Sequence, residues 1–155
     1  MRLTRFSDIG LRVLMYLHGA DERPGPVTVA EIASQFELPI NHLVKVVSQL
    51  SKMGWVRATR GRNGGLRLAA DATKLRIGQV LRQLEGEDEL IDCEGSSCRL
   101  AVDCRLRGAL HEGLQAFYAA MDRHTLADIA GGGTGEHIVR MHRMFLVTPH
   151  TQSAA

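Results

Sequence analysis

The chain has 155 residues, 45% of them apolar and 23% charged, with a formal net charge of +2 and a pI near 8.6. That length suits one ordinary domain with a core plus a helical arm, and so mild a charge implies nucleic acid only if it is concentrated locally. No stretch approaches the ~20 apolar residues of a membrane span, and Met1-Arg2-Leu3-Thr4-Arg5 leads into no signal-peptide core, so a soluble cytoplasmic protein is expected.

Residues 8–18 carry Ile9, Leu11, Val13, Leu14, Met15 and Leu17 in a nearly continuous run, too long for a typical strand, and are expected to form a buried helix. Pro24, Gly25 and Pro26 then force a loop. Thr28-Val29-Ala30-Glu31 has the form of a capping box. There the Thr28 hydroxyl accepts from the Glu31 amide while the Glu31 side chain reaches back to Thr28. The short helix it starts turns Ile32, Ala33 and Phe36 inward, and Leu38-Pro39 ends it.

The next helix, residues 40–53, has Leu43, Val46, Val47 and Leu50 as its apolar stripe and Asn41, His42, Lys45, Gln49 and Lys52 on its other face. Gly54 stops it as a left-handed cap. Two short helices joined by a tight turn, the second polar and basic outside, are a helix-turn-helix. Residues 55–59 and 66–69 alternate as two strands joined by Arg60-Gly61-Arg62-Asn63-Gly64-Gly65, where Asn63-Gly64 is a hairpin signal because both residues tolerate positive φ.

From Asn41 through Leu68 the charged residues are Lys45, Lys52, Arg57, Arg60, Arg62 and Arg67, with no Asp or Glu among them. An isolated basic run is most simply a solvated face. Combined with a helix-turn-helix and a glycine-rich wing, it reads as a salt-dependent DNA surface. The candidate contacts are Thr28, Asn41, His42, Lys45, Arg60, Arg62 and Asn63.

Ile77, Val80, Leu81 and Leu84 then mark a further helix, with Thr73 as its candidate cap, followed by a solvated acidic loop at residues 85–89. Leu106, Leu110, Leu114, Phe117 and Met121 form a heptad-like seam on a longer helix. It reads as a dimerisation helix, because a helix-turn-helix usually reads paired half-sites. The glycines of residues 131–135 break the chain again, and the end from Thr148 is expected to fray.

The chain's three cysteines, Cys93, Cys98 and Cys104, fall within one short stretch spaced C-x4-C-x5-C. Three thiols cannot all pair within one chain, and clustered thiols in a reducing compartment more often hold metal than form disulfides. The stretch therefore reads as a metal or iron-sulfur sensor attached to a DNA reader, which makes the chain a switch and not an enzyme. A structural zinc site is the alternative of similar architecture. A small redox protein is disfavoured, since the chain has no Cys-x-x-Cys pair and no nucleotide-binding glycine fingerprint. The expected fold is mainly α: a winged helix-turn-helix with a two-strand wing over residues 1–84, a cluster-binding loop at 85–105, a dimerisation helix at 106–130 and a C-terminal segment at 131–155.

Several segments together resemble the NsrR-type branch of the Rrf-type winged-helix regulators, a group that also includes the IscR type. They are Met1-Arg2-Leu3-Thr4 with Phe6-Ser7-Asp8, Asn41-His42-Leu43-Val44-Lys45, the wing residues 60–65, the cysteine spacing and Thr125-Leu126-Ala127-Asp128, and the likeness spans roughly residues 1–130. The resemblance implies a homodimeric repressor of nitric-oxide detoxification genes. It also implies an iron-sulfur cluster in each subunit on Cys93, Cys98 and Cys104, of the [4Fe-4S] type with [2Fe-2S] as the alternative. Asp8, supplied by the neighbouring subunit, is the implied fourth ligand and nitric oxide the implied signal. In IscR-type relatives a histidine three residues after the last cysteine takes that role; here the position is Arg107, which disfavours the IscR type. His111, seven residues past Cys104, reads as a helix-surface residue.

Overall fold

The computed structural model describes residues 2–20, 23–86, 90–93, 95, 97–100 and 103–148. Among them the order is α1 (Arg5–His18), α2 (Val29–Gln35), α3 (Ile40–Lys52), β1 (Val56–Thr59), β2 (Gly65–Leu68), α4 (Ile77–Glu85), α5 (Arg105–Met121), α6 (Leu126–Ile129) and α7 (Gly132–Val147). The architecture is the expected mainly helical one with a two-stranded antiparallel sheet.

Helix α1 is the central post of the core. Ile9, Val13, Leu14, Tyr16 and Leu17 are buried, and α3, α4, α6 and β2 pack around it. It begins three residues before the expected start at Asp8, because the Thr4 hydroxyl caps it by accepting from the Ser7 amide at 3.2 Å. The amide of Thr4 in turn donates to Glu85 Oε1 at 3.0 Å, tying the start of α1 to the end of α4.

The stripes expected on α3 and α4 are the buried ones: Leu43, Val46, Val47 and Leu50 on one, Ile77, Val80, Leu81 and Leu84 on the other. Helix α4 is not capped by Thr73, which lies in a turn hydrogen-bonded to Asp71. Arg76 instead pairs in extended form with Thr125, and the Ile77 amide donates to the His124 carbonyl at 3.0 Å, so the helix starts only at Ile77.

The wing forms in the register Val56 to Leu68 through Thr59 to Gly65. The conformational demand falls elsewhere than on Asn63-Gly64. Positive φ occurs at Gly61 (106°), where the Gly64 amide donates back to the Gly61 carbonyl at 2.9 Å. Gly64 is needed for close approach, since a Cβ there would lie 2.2 Å from the Thr59 carbonyl oxygen.

Residues 106–130 are two helices and not one. α5 ends at Met121, and a full capping box of Thr125 and Asp128 starts α6. Hydrogen bonds from the Thr125 backbone and side chain hold the Asp128 carboxyl below the usual range. The glycine run at 131–135 does not end regular structure either: Gly131 is the N-cap of α7. Glycine costs a helix about 1 kcal/mol per residue relative to alanine. Here that is offset because Ile138 and His142, one turn apart, are buried, Ile138 beside Gly19 at the end of α1 and His142 with Nε2 2.9 Å from the Tyr16 carbonyl. The expectation of fraying begins at Thr148, which is instead the C-cap of α7 with its amide and hydroxyl both donating to the Met144 carbonyl; the rest of it, residues 149–155, lies outside the described residues.

Candidate nucleic-acid interface and cysteine centre

Residues 36–39 connect α2 to α3. Glu37 adopts φ 51°, the Leu38 amide donates to the Ala33 carbonyl at 2.9 Å, and Pro39 precedes the first turn of α3 without a side-chain cap. The His42 and Leu43 amides both donate to the Pro39 carbonyl, at 3.0 and 3.1 Å. On α3, Asn41, Lys45 and Ser48 are exposed, while His42 is half-buried with its ring 6.5 Å from that of Phe6. His42 therefore sits at the edge of this face and not on its crest. Ile40 and Val44, which are not part of the buried stripe, are exposed on the same helix.

Thr28 is exposed at the start of α2, where its hydroxyl accepts from the Glu31 amide at 3.1 Å. The reciprocal half of the expected capping box is absent, because the Glu31 side chain turns into the core. There it receives the Tyr16 hydroxyl at 2.8 Å and both terminal nitrogens of Arg23. Buried charge partners outcompete an exposed backbone amide for this carboxylate. Val27, just before Thr28, bridges to Leu66 of β2, so the start of α2 borders the wing. Arg60, Arg62 and Asn63 are exposed at the wing tip, with Arg57 and Arg67 exposed along its strands. The exposed face of α3, the start of α2 and the basic hairpin thus have the arrangement of a winged helix-turn-helix.

The cysteines lie between α4 and α5. Cys93 is buried, Cys98 exposed and Cys104 intermediate, and none is in a disulfide. The Cys98 amide donates to the Cys93 carbonyl at 3.3 Å, Asp92 Oδ1 accepts from the Gly95 amide at 2.6 Å, and Cys104 is the N-cap residue of α5. Three thiols in twelve residues are a soft donor set suited to iron-sulfur ligation. Among the described residues no three His, Cys, Asp or Glu side chains converge as a metal cage. Asp8 is half-exposed on α1 and pairs with Arg12 Nε at 2.9 Å. Arg107 falls in the first turn of α5. Among the described residues no helix is long and apolar enough to cross a membrane.

A family model described as an iron-dependent transcriptional regulator, Rrf2, matches residues 3–132. The chain belongs to the Rrf2 family. Within that family it is 42% identical over 136 residues to the HTH-type transcriptional repressor NsrR of Streptomyces coelicolor, covering 87% of this chain and 92% of the relative. The Rrf2 fold is also that of solved structures at lower identity. Oxidized CymR of Staphylococcus aureus superposes with a TM-score of 0.67 at 23% identity, covering 85% of this chain and 98% of that one. IscR of T. potens gives a TM-score of 0.63 at 22% identity, covering 83% and 85%. An Rrf2-family transcriptional regulator is thus the coarse identity of the chain.

Proposed function

We propose that the chain is a homodimeric repressor whose hold on operator DNA depends on an iron-sulfur cluster, [4Fe-4S] by resemblance, and is released by nitric oxide. The observation that carries this reading is the 42% identity to a repressor named NsrR over nearly the whole chain, in a protein whose cysteines all fall on one loop. Cys93, Cys98 and Cys104 would hold the cluster, and Asp8 of the partner subunit would complete the set. When bound, the cluster supplies iron that nitric oxide can attack, most readily where a hard carboxylate oxygen stands among soft thiolates.

The remaining parts act through the protein itself. The cysteine loop follows α4, whose last residue Glu85 holds the start of α1, so order in the loop bears on the helix that carries Asp8 and supports α3. Thr28, Asn41, His42, Lys45, Arg60, Arg62 and Asn63 would contact DNA, with the long α5 as the dimerisation element.

Purification without oxygen, with visible and Mössbauer spectra followed by nitric-oxide titration against operator binding, tests the reading. A coloured protein whose DNA complex dissociates with added nitric oxide is expected. A colourless protein containing zinc, or DNA binding indifferent to nitric oxide, would overturn it.

A further inference from the structure

The outer face of α3 is not uniformly polar. Ile40 is 53% exposed and Val44 49% exposed, one helical turn apart and interleaved with Asn41 and Lys45. Scattered apolar residues on a surface need no explanation. These two are set apart by position: they occupy the first two turns of the second helix of a helix-turn-helix, in a stretch from Leu38 to Ala70 with no acidic residue. Both are β-branched and stiff at χ1, so holding them against a partner costs little rotamer freedom.

We infer that Ile40 and Val44 are specificity-determining residues that read thymine C5-methyl groups in the major groove of the operator half-site. This rests on the DNA-binding reading given above and adds the base class it recognises. Neither side chain has a polar atom, so neither can read the hydrogen-bonding edges of bases, and the apolar mark in the major groove is the thymine methyl. The separation fits: four residues of helix rise about 6 Å, against about 3.4 Å between successive base pairs. The two side chains therefore reach pairs one or two steps apart. Asn41 between them suits adenine, whose N6 and N7 it can engage bidentately, so the half-site read by this turn is built from A·T pairs. Lys45, next to Val44, supplies phosphate or guanine contact beyond it.

The test uses the full-length protein purified without oxygen and a duplex that it selects from a random-sequence pool. Each thymine of the selected half-site is replaced in turn by uracil, which removes only the methyl group. Loss of about three- to fivefold in affinity is expected at one or two positions, the factor for a single buried carbon. Ile40→Ala and Val44→Ala are each expected to abolish the loss at one of those positions. If uracil is tolerated everywhere by the wild-type protein, or if the same losses persist in both variants, the assignment falls while DNA binding stands. If no duplex is enriched at all, the DNA-binding reading falls and this one with it. The wild-type uracil scan needs no variant, so a misfolded mutant does not blunt it.

Discussion

The Tyr16 hydroxyl donates to Glu31 Oε1 at 2.8 Å, joining α1 to the first turn of α2 with both residues buried. Arg23 reaches the same carboxylate through both terminal nitrogens, and His142 of α7 lies against the group with its ring 3.9 Å from that of Tyr16. His142 Nε2 is 2.9 Å from the Tyr16 carbonyl, which can only accept, so Nε2 carries a proton. His142 Nδ1 lies 2.8 Å from Arg23 Nη1 and 3.5 Å from Glu31 Oε1. Three side chains, Tyr16, Arg23 and His142, thus gather around a single buried carboxylate and join α1, α2 and α7.

Burial pushes the Glu31 carboxyl up, but its contacts with His142, Arg23 and Tyr16 outweigh this and lower it from 4.5 to about 2. A depressed folded-state pKa contributes stability that is present above the unfolded value and lost as pH falls through the folded one. Stability from this group should therefore drain away between pH 4.5 and about 2, by on the order of 3 kcal/mol. Urea denaturation across that range, compared with Glu31→Gln, checks it, since the variant should lose this part of the acid dependence. Glu31→Gln should itself cost about 3–5 kcal/mol, because Arg23 is left buried without its counter-charge.

Gly78 lies where α4 packs tightly against the end of α5. A Cβ there would lie 2.4 Å from the Tyr118 carbonyl oxygen and 2.3 Å from Asp122 Oδ1, and the backbone contact has little room to yield. Gly78→Ala should push the two helices apart and destabilise the fold by about 1–3 kcal/mol. It should also disturb the Arg82 to Asp122 ion pair beside it, at 2.7 Å. A lowered melting temperature is the expected readout, and an unchanged one would mean that α5 is less firmly docked than Gly78 implies.

At the wing, Arg60→Ala and Arg62→Ala should each weaken operator binding. If the arginine meets a phosphate, the slope of log affinity against log salt should also shrink by about 0.9. Fluorescence anisotropy at several salt concentrations separates this from loss of base reading, which lowers affinity without changing the slope. If these variants and those at Asn41, His42 and Lys45 all bind as the wild type does, the recognition surface lies elsewhere.

Cys93→Ser, Cys98→Ser and Cys104→Ser should each abolish or strongly reduce visible absorption in protein purified without oxygen. Asp8→Ala should keep a cluster on the three thiols but shift its spectrum and its response to nitric oxide. An unchanged response would remove Asp8 from the ligand set.

The sequence by itself determined the elements whose burial is periodic. The stripes of α3 and α4 and the run in α1 are set by the 3.6-residue repeat, and a tight turn with a glycine-rich hairpin made the winged helix-turn-helix legible. It also placed all three cysteines within one short stretch, a spacing that depends on no fold. Tertiary structure decided what depends on competition between distant partners. Glu31 forsakes its local cap for Arg23 and Tyr16, because a buried charge pair is stronger than an exposed hydrogen bond. Arg76 is drawn into pairing with Thr125, which delays α4, and Ile138 with His142 stabilises a helix begun in glycines that local propensity disfavours. Whether Ile40 and Val44 faced core or solvent was likewise settled only when the other elements had taken their places, because periodicity defines a stripe but not where its edges meet water.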